Sequence, residues 1–206
     1  MASLLNMSCS RVVGSKSLPY DAEIEYLEGS GTQYILTNIP NRSAFSMSLK
    51  FMLTSDASYE AIFGSVGANP RPGFRLYRYN ATTLLAQSGK PIDVKTTTAS
   101  MKNVVITFTA TANNGTLSIS SNYGTSTTSS CDFSESNKWA LFTSLVGGGV
   151  SGTITGRIYS FTYSSSEQNV DLIPVRVGNV GYLFDKVSGQ LFGNSGTGSF
   201  ILGPDK

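Results

Sequence analysis

Side chains that could hold a ligand alternate along residues 73–79, whose sequence is GFRLYRY. At the two-residue period of a β-strand, Arg75, Tyr77 and Tyr79 share one face, and the apolar Phe74 and Leu76 share the other. Aromatic rings beside a guanidinium can stack on a sugar or anchor a protein interface. Two interpretations stay open: this face binds a glycan or protein partner, or a neighbouring loop or the second sheet covers it.

Three carboxylates stand close together in EIEYLE, at Glu23, Glu25 and Glu28. This spacing is similar to the E-I-D-x-x-E motif of retaining jelly-roll glucanases, which need two carboxyl groups about 5–5.5 Å apart. The middle position is Glu rather than Asp, the stretch begins the first predicted strand, and the chain has one tryptophan. We therefore predict a solvated strand edge here and no catalytic residues.

The chain contains no histidine, which excludes histidine-dependent triads and most zinc sites. Its aspartates are scattered without calcium-loop spacing, so we predict no metal and no cofactor. Cys9 and Cys131 lack metal-ligand spacing, and both free thiols and a bridge between them stay open. With 15 Lys and Arg against 13 Asp and Glu, the formal charge is +2. This charge favours no nucleic-acid partner, and no apolar run approaches the roughly 18 residues of a membrane span.

Strand signals recur along the chain, which is rich in Ser, Thr, Gly and Asn. Alternation or buried runs predict strands at residues 45–53, 61–67, 104–109, 138–146 and 156–163. In the last of these, strict alternation places Ile158 opposite to Tyr159, Phe161 and Tyr163. Asn114-Gly115 predicts one hairpin, and residues 187–189 predict a second. About ten to twelve such strands predict two packed antiparallel sheets.

Longer motifs lie at both ends of this series of predicted strands. The first is EYLEGSGTQYILTNI, at residues 25–39. The second lies within residues 156–203 and consists, in chain order, of GRIYSF, DLIPV and GYLFDKVSGQLFGNSGTGSF. They resemble the concanavalin A-like (laminin-G-like) jelly-roll domains of phage and gut-bacterial proteins. The resemblance covers about residues 23–203 and implies an all-β fold, a two-sheet antiparallel β-sandwich. Leu36, Asn38 and Val175 stand where the family usually has Asp, Gly and Cys, so any ion or bridge at those positions is not expected here.

Residues 1–22 differ from the rest, because their apolar side chains follow no sustained period. We divide the chain into an N-terminal arm or docking segment, residues 1–22, and a jelly-roll domain, residues 23–206. A disordered leader is the alternative to a docking arm. No signal peptide is expected, since a basic n-region is lacking. The residues that would dock are Leu4, Leu5, Val12, Val13 and Leu18.

The resemblance implies a non-enzymatic virion protein of a tailed phage, in a capsid-decoration, head-fibre or tail-associated role. Its expected partners are other virion proteins, namely capsid or fibre subunits, and further copies of itself, with a trimer as the specific expectation. It would be assembled in the host cytoplasm and act in the extracellular particle. The alternative is a carbohydrate-binding module of a gut bacterium or phage adhesin, contacting surface or mucus glycans through Arg75, Tyr77 and Tyr79.

Overall fold

The computed structural model describes residues 18–96 and 99–206, and the described residues form strands and loops without a helix. No segment of this described part is therefore a helix able to cross a membrane. The strands, in chain order, are β1 (Ala22–Glu23), β2 (Leu27–Ser30), β3 (Ile35–Leu36), β4 (Ala44–Leu53), β5 (Glu60–Val66), β6 (Gly73–Asn80), β7 (Thr83–Ser88), β8 (Lys90–Thr96), β9 (Val105–Asn113), β10 (Thr116–Ser121), β11 (Gly124–Thr128), β12 (Ala140–Leu141), β13 (Ser144–Val146), β14 (Gly149–Ser151), β15 (Thr155–Ser164), β16 (Asn169–Val177), β17 (Val180–Asp185), β18 (Leu191–Phe192) and β19 (Ile201–Leu202).

Two sheets share these strands. The large sheet has the order β11-β10-β9-β4-β15-β16-β17-β18, with β2 joined to β15, β19 joined to β2, and β1 joined to β16. The small sheet has the order β14-β13-β5-β6-β7-β8, with β12 attached to β5 and β3 attached to β12. Pairing is antiparallel except between β13 and β5, which run parallel. The prediction of a two-sheet antiparallel β-sandwich is confirmed.

The core lies between the sheets and centres on aromatic rings. Trp139 is fully buried, and the rings of Phe45, Phe63 and Tyr163 lie 5.3–5.4 Å from it, centroid to centroid. Its indole Nε1 donates a hydrogen bond of 2.8 Å to Asn41 Oδ1, which satisfies the one polar atom of the ring. The core therefore joins strands of both sheets through one indole.

The predicted hairpins are present. Asn114 and Gly115 join β9 to β10 with φ of 46° and 82°, the left-handed pair that a tight two-residue turn requires. Along β9, buried and exposed residues alternate without a break. The second hairpin joins β17 to β18, and Gly189 supplies its positive φ of 74°. Both hairpins could be predicted from sequence periodicity because each turn joins two strands that follow one another in the chain and pair with each other.

Strict alternation fails in β15. The prediction that Ile158 faces away from Phe161 and Tyr163 is wrong, since all three are buried in the core. Ile158 pairs with Phe51, but the next pair is Ser160 with Lys50, so Tyr159 is the extra residue of a β-bulge. A bulge puts two residues of one strand opposite one of its partner and resets the alternation.

The run at residues 138–146 forms two strands instead of one. Phe142 has φ of 66°, outside the β region, so β12 ends before it and β13 begins after it. Its amide donates a hydrogen bond of 2.9 Å to the carbonyl of Ile62, and its ring lies 4.7 Å from that of Phe200. Burial of this ring compensates for the unfavourable backbone conformation.

The first described residues cross the outer face of the large sheet. The Tyr20 ring lies 5.0 Å from the Phe184 ring, edge to face, and covers a small apolar cluster with Val175. The Asp21 amide donates to the Arg176 carbonyl at 2.9 Å. Leu18 is 61 % exposed and contacts no cluster. The other docking candidates, Leu4, Leu5, Val12 and Val13, and also Cys9, lie outside the described residues.

Candidate functional site

The predicted face of β6 points away from the core. Phe74, Leu76 and Arg78 are fully buried between the sheets, so Arg75, Tyr77 and Tyr79 belong to the outer face of the small sheet. The three are not equally accessible, however. Arg75 and Tyr77 are only 7 % and 8 % exposed, whereas Tyr79 is 41 % exposed. Neighbouring segments therefore cover most of this face and leave an opening, and binding of a glycan or partner to it stays a prediction.

Two neighbours fix the Arg75 side chain. Its Nε donates a hydrogen bond of 2.8 Å to Oε1 of Gln87 on β7. Its guanidinium carbon lies 4.5 Å from the centre of the Tyr77 ring, in cation–π contact. Burial raises the pKa of Tyr77 despite the nearby guanidinium charges, so the phenol stays neutral. The result is a cation held rigidly beside an aromatic ring.

Glycine on the neighbouring strand allows this arrangement. Gly64 of β5 pairs with Arg75, and its φ is 117°. A Cβ at Gly64 would lie 2.2 Å from the Phe74 carbonyl oxygen and 2.5 Å from the Arg75 Cα. No flexible side chain can relieve that clash, since the atoms belong to the backbone. The close approach of β5 and β6 beneath Arg75 therefore depends on a residue without a side chain.

A cavity of about 300 Å³ opens over this face. Arg75 and Tyr77 form its floor, and residues from neighbouring segments form its walls. Its lining residues are Tyr59, Arg71, Arg75, Tyr77, Val146 and Ser151. Tyr79 lies outside the lining but meets Tyr59, with ring centres 5.0 Å apart at 79°. We call these six lining residues together with Tyr79 the arginine–tyrosine cavity.

Tyr59 and Arg71 were not singled out from the sequence. Tyr59 lies in the loop before β5 and Arg71 in the loop before β6, with φ of 61° and 68°. A left-handed conformation at a non-glycine residue is uncommon and costs about 1 kcal/mol or more. The Tyr79 hydroxyl beside Tyr59 raises the pKa of the Tyr59 phenol. The only sequence signal was Pro70-Arg71-Pro72, a stiff loop that displays a second cation four residues before Arg75.

The acidic cluster at the start of the domain forms no comparable site. Glu28 pairs with Arg157 at 2.6 Å, and Glu23 accepts a hydrogen bond from the Tyr20 hydroxyl at 3.3 Å. Glu25 is exposed. None of the three carboxylates lines the arginine–tyrosine cavity.

The described residues contain neither a metal-binding cluster nor a reactive thiol. Within residues 18–96 and 99–206, no three His, Cys, Asp or Glu side chains come together as a metal-binding group. Cys131 is partly buried, and burial raises the pKa of its thiol, so it is a poor nucleophile.

No protein-family model and no curated sequence matches the chain at a significant level. Solved structures do match it. The CBM40 carbohydrate-binding module of the Ruminococcus gnavus IT-sialidase, bound to α2,3-sialyllactose, aligns with a TM-score of 0.54 and 18 % identity. The alignment covers 69 % of this chain and 92 % of the module. The fold is a concanavalin A-like jelly roll.

Two larger proteins share this fold over more of the chain. A Bacteroides ovatus protein described as a candidate carbohydrate-binding protein aligns with a TM-score of 0.57 and 12 % identity, over 87 % of this chain and 60 % of that one. The leech intramolecular trans-sialidase aligns with a TM-score of 0.54 and 12 % identity, over 90 % of this chain and 39 % of that one. At these identities the likeness concerns the fold.

Proposed function

We propose that this chain is a non-catalytic carbohydrate-binding domain that holds a sugar in the arginine–tyrosine cavity. The cavity itself carries the proposal: two tyrosines and two arginines line one cavity over the small sheet, and Tyr79 packs against one of these tyrosines. Its volume of about 300 Å³ lies at the lower end of the range of small-molecule sites. That volume suits one sugar ring rather than an extended chain.

The lining has the chemistry that sugar recognition requires. A pyranose ring presents apolar C–H groups on its faces and hydroxyls at its edge. Tyr59 and Tyr77 offer ring surface for the faces, and Ser151 and the guanidinium of Arg75 offer hydrogen-bond partners for the edge. The absence of histidine from the chain and of paired carboxylates from the cavity lining argues for binding without catalysis.

The solved structures support a carbohydrate ligand as well. Among the structures compared, the Ruminococcus gnavus module is named for carbohydrate binding and was solved with sialyllactose, and the Bacteroides ovatus protein is described for the same activity. The alignment includes 92 % of the module, so this chain contains nearly the whole fold of the module.

A glycan array on the purified protein, followed by calorimetry with the best ligand, tests the proposal. Tyr59→Ala is the main variant, because Tyr59 is 61 % exposed and its loss leaves the core intact. We expect affinity to fall about tenfold, the equivalent of about 1.4 kcal/mol. Tyr77→Ala should reduce binding further, since this ring also supports Arg75.

The matched control is Tyr159→Ala, which removes a partly exposed tyrosine from the outer face of the large sheet. Its affinity should equal that of the unchanged protein. Failure of the unchanged protein to bind any glycan on the array would refute the proposal. Equal losses in the Tyr59 and Tyr159 variants would show that the sugar binds elsewhere.

The virion role is a second proposal, and its support is the resemblance of the motifs at residues 25–39 and 156–203 to domains of phage proteins. None of the solved structures reported above is a virion protein. Purification of particles from infected cells would test the virion location, the capsid or fibre partners and the trimer together. Absence of the protein from purified particles would rule out this role and leave glycan binding unaffected.

A further inference from the structure

Arg75 is a buried cation whose charge is not neutralised. The residue is 7 % exposed, and Gln87 occupies only its Nε. Among the described residues, its two terminal nitrogens have no hydrogen-bond partner and no carboxylate forms an ion pair with it. A buried guanidinium is costly unless an anion or several acceptors satisfy it. Arg75 lines the cavity, so a ligand in the cavity can reach its two terminal nitrogens in place of water.

A second cation beside the cavity also favours an anionic ligand. Arg71 lines the same cavity from its loop, and it also forms no ion pair among the residues described. Burial, together with the positive charge of Arg71, lowers the pKa of Arg75. Two like charges beside one cavity repel each other, and an anion placed between them relieves that repulsion.

No acidic side chain of the lining can serve as this anion. The remaining lining residues are tyrosines, a valine and a serine. The chain as a whole has a formal charge of only +2, so two arginines without an ion pair beside one cavity are a local concentration of positive charge. This lining suits a ligand that carries negative charge as well as a sugar ring.

The geometry of Arg75 also favours one kind of anion. Its Nε is already used by Gln87, and its ring contact with Tyr77 fixes the plane of the guanidinium. The two terminal nitrogens are left side by side, and a planar pair of donors matches the two oxygens of a carboxylate. A sulfate half-ester can meet the same fork, but it has a third charged oxygen for which this fork has no donor.

We propose that the sugar bound in the arginine–tyrosine cavity is acidic, with a carboxylate held by both terminal nitrogens of Arg75 and by Arg71 at the rim. This inference rests on the proposed function and specifies its substrate class. Sialic acids and uronic acids both supply the required carboxylate on a pyranose ring. Neutral sugars lack it.

Calorimetry with four ligands tests the inference: 3′-sialyllactose, a glucuronic acid disaccharide, lactose and 3′-sulfolactose. We expect at least one of the two carboxylated ligands to bind about tenfold or more tightly than lactose and sulfolactose. Which of them binds distinguishes sialic from uronic acid as the source. Its affinity should also fall with added salt, because a charge pair contributes to it.

Arg71→Gln is the decisive variant, since Arg71 is exposed and its replacement spares the core. Its affinity for the acidic ligand should fall about tenfold, several-fold more than its affinity for lactose, and Arg71→Lys should restore part of the loss. Arg176→Gln is the control: Arg176 pairs with Asp205 and lies on the large sheet. It should bind the acidic ligand normally.

The outcomes separate this inference from the proposed function. Equal affinity for lactose and for both carboxylated sugars, with no effect of Arg71→Gln, would overturn the acidic ligand. The sugar-binding proposal would survive that result if Tyr59→Ala still weakened binding. If 3′-sulfolactose bound more tightly than the carboxylated ligands, the preferred anion would be a sulfate and the inference of a carboxylate would be overturned. If the protein bound no glycan at all, both the sugar-binding proposal and the acidic-ligand inference would be refuted.

Discussion

Two arginines three residues apart on β6 have opposite roles, because alternation sends them to opposite faces of the sheet. Arg75 faces the cavity, whereas Arg78 is fully buried in the core. Arg78 pairs with Glu60 and donates to the backbone carbonyl of Ser55. Glu60 also accepts the amide hydrogen of Thr155 at 2.9 Å, which ties β15 to the same network. This network is structural.

Alternation in the sequence separates Arg75 from Arg78 but does not identify the role of either. The partner of Arg78 is 18 residues away, at Glu60, and the partner of Arg75 is 12 residues away, at Gln87. Neither spacing forms a motif, since both pairs depend on the register between strands. The candidate Arg75 could thus be predicted, while the partners of the two arginines could not.

Glu60→Gln should lower the free energy of unfolding by about 3–5 kcal/mol, because it leaves the buried charge of Arg78 unpaired. Urea unfolding followed by the fluorescence of Trp139 measures the change. Glu167→Gln is the matched control, as its partner Arg42 is on the surface and both side chains are well exposed. The free energy of unfolding of that variant should fall by less than about 1 kcal/mol. Similar losses in both variants would contradict a structural role for the buried pair.

At the scale of elements, the least predictable feature is the bulge in β15. A strand of strict alternation cannot bury Ile158, Phe161 and Tyr163 together, yet the core contains all three. Tyr159 resolves the conflict by adding one residue, and its ring then packs edge to face on Tyr26 at 5.6 Å. Hydrophobic periodicity alone cannot indicate a bulge, since GRIYSFTY reads equally well as a regular strand.

Deletion of Tyr159 should therefore be tolerated. Ser160 alone would then separate Ile158 from Phe161, as Lys50 alone separates their partners Phe51 and Leu49. We expect a loss of about 1 kcal/mol, from the contact with Tyr26. Deletion of Thr162 is the contrasting variant, because it turns the buried Tyr163 toward solvent and should prevent folding. Circular dichroism and urea unfolding distinguish them, and equal damage from both deletions would argue against the bulge.

At the scale of the whole molecule, the arginine–tyrosine cavity and the Tyr20 side chain lie on opposite outer faces of the sandwich. The cavity belongs to the small sheet, and Tyr20 packs on β17 of the large sheet. The two-sheet fold could be predicted from strand periodicity and from the motifs at both ends. The cavity could not, because Tyr59, Arg71, Val146 and Ser151 reach it from segments far apart in the sequence.

The N-terminal segment supplies the last prediction, since the structure shows Tyr20 and Asp21 bound to the domain that was predicted to begin at Glu23. A chain that starts at Leu18 keeps Tyr20 and Asp21 and serves as the reference. A chain that starts at Glu23 should lose about 1–2 kcal/mol, because the Tyr20 ring no longer covers Phe184. Both should keep full glycan affinity, given that the cavity lies on the other sheet. Weaker glycan binding by the shorter chain alone, with an unchanged fold, would place part of the site on the N-terminal face.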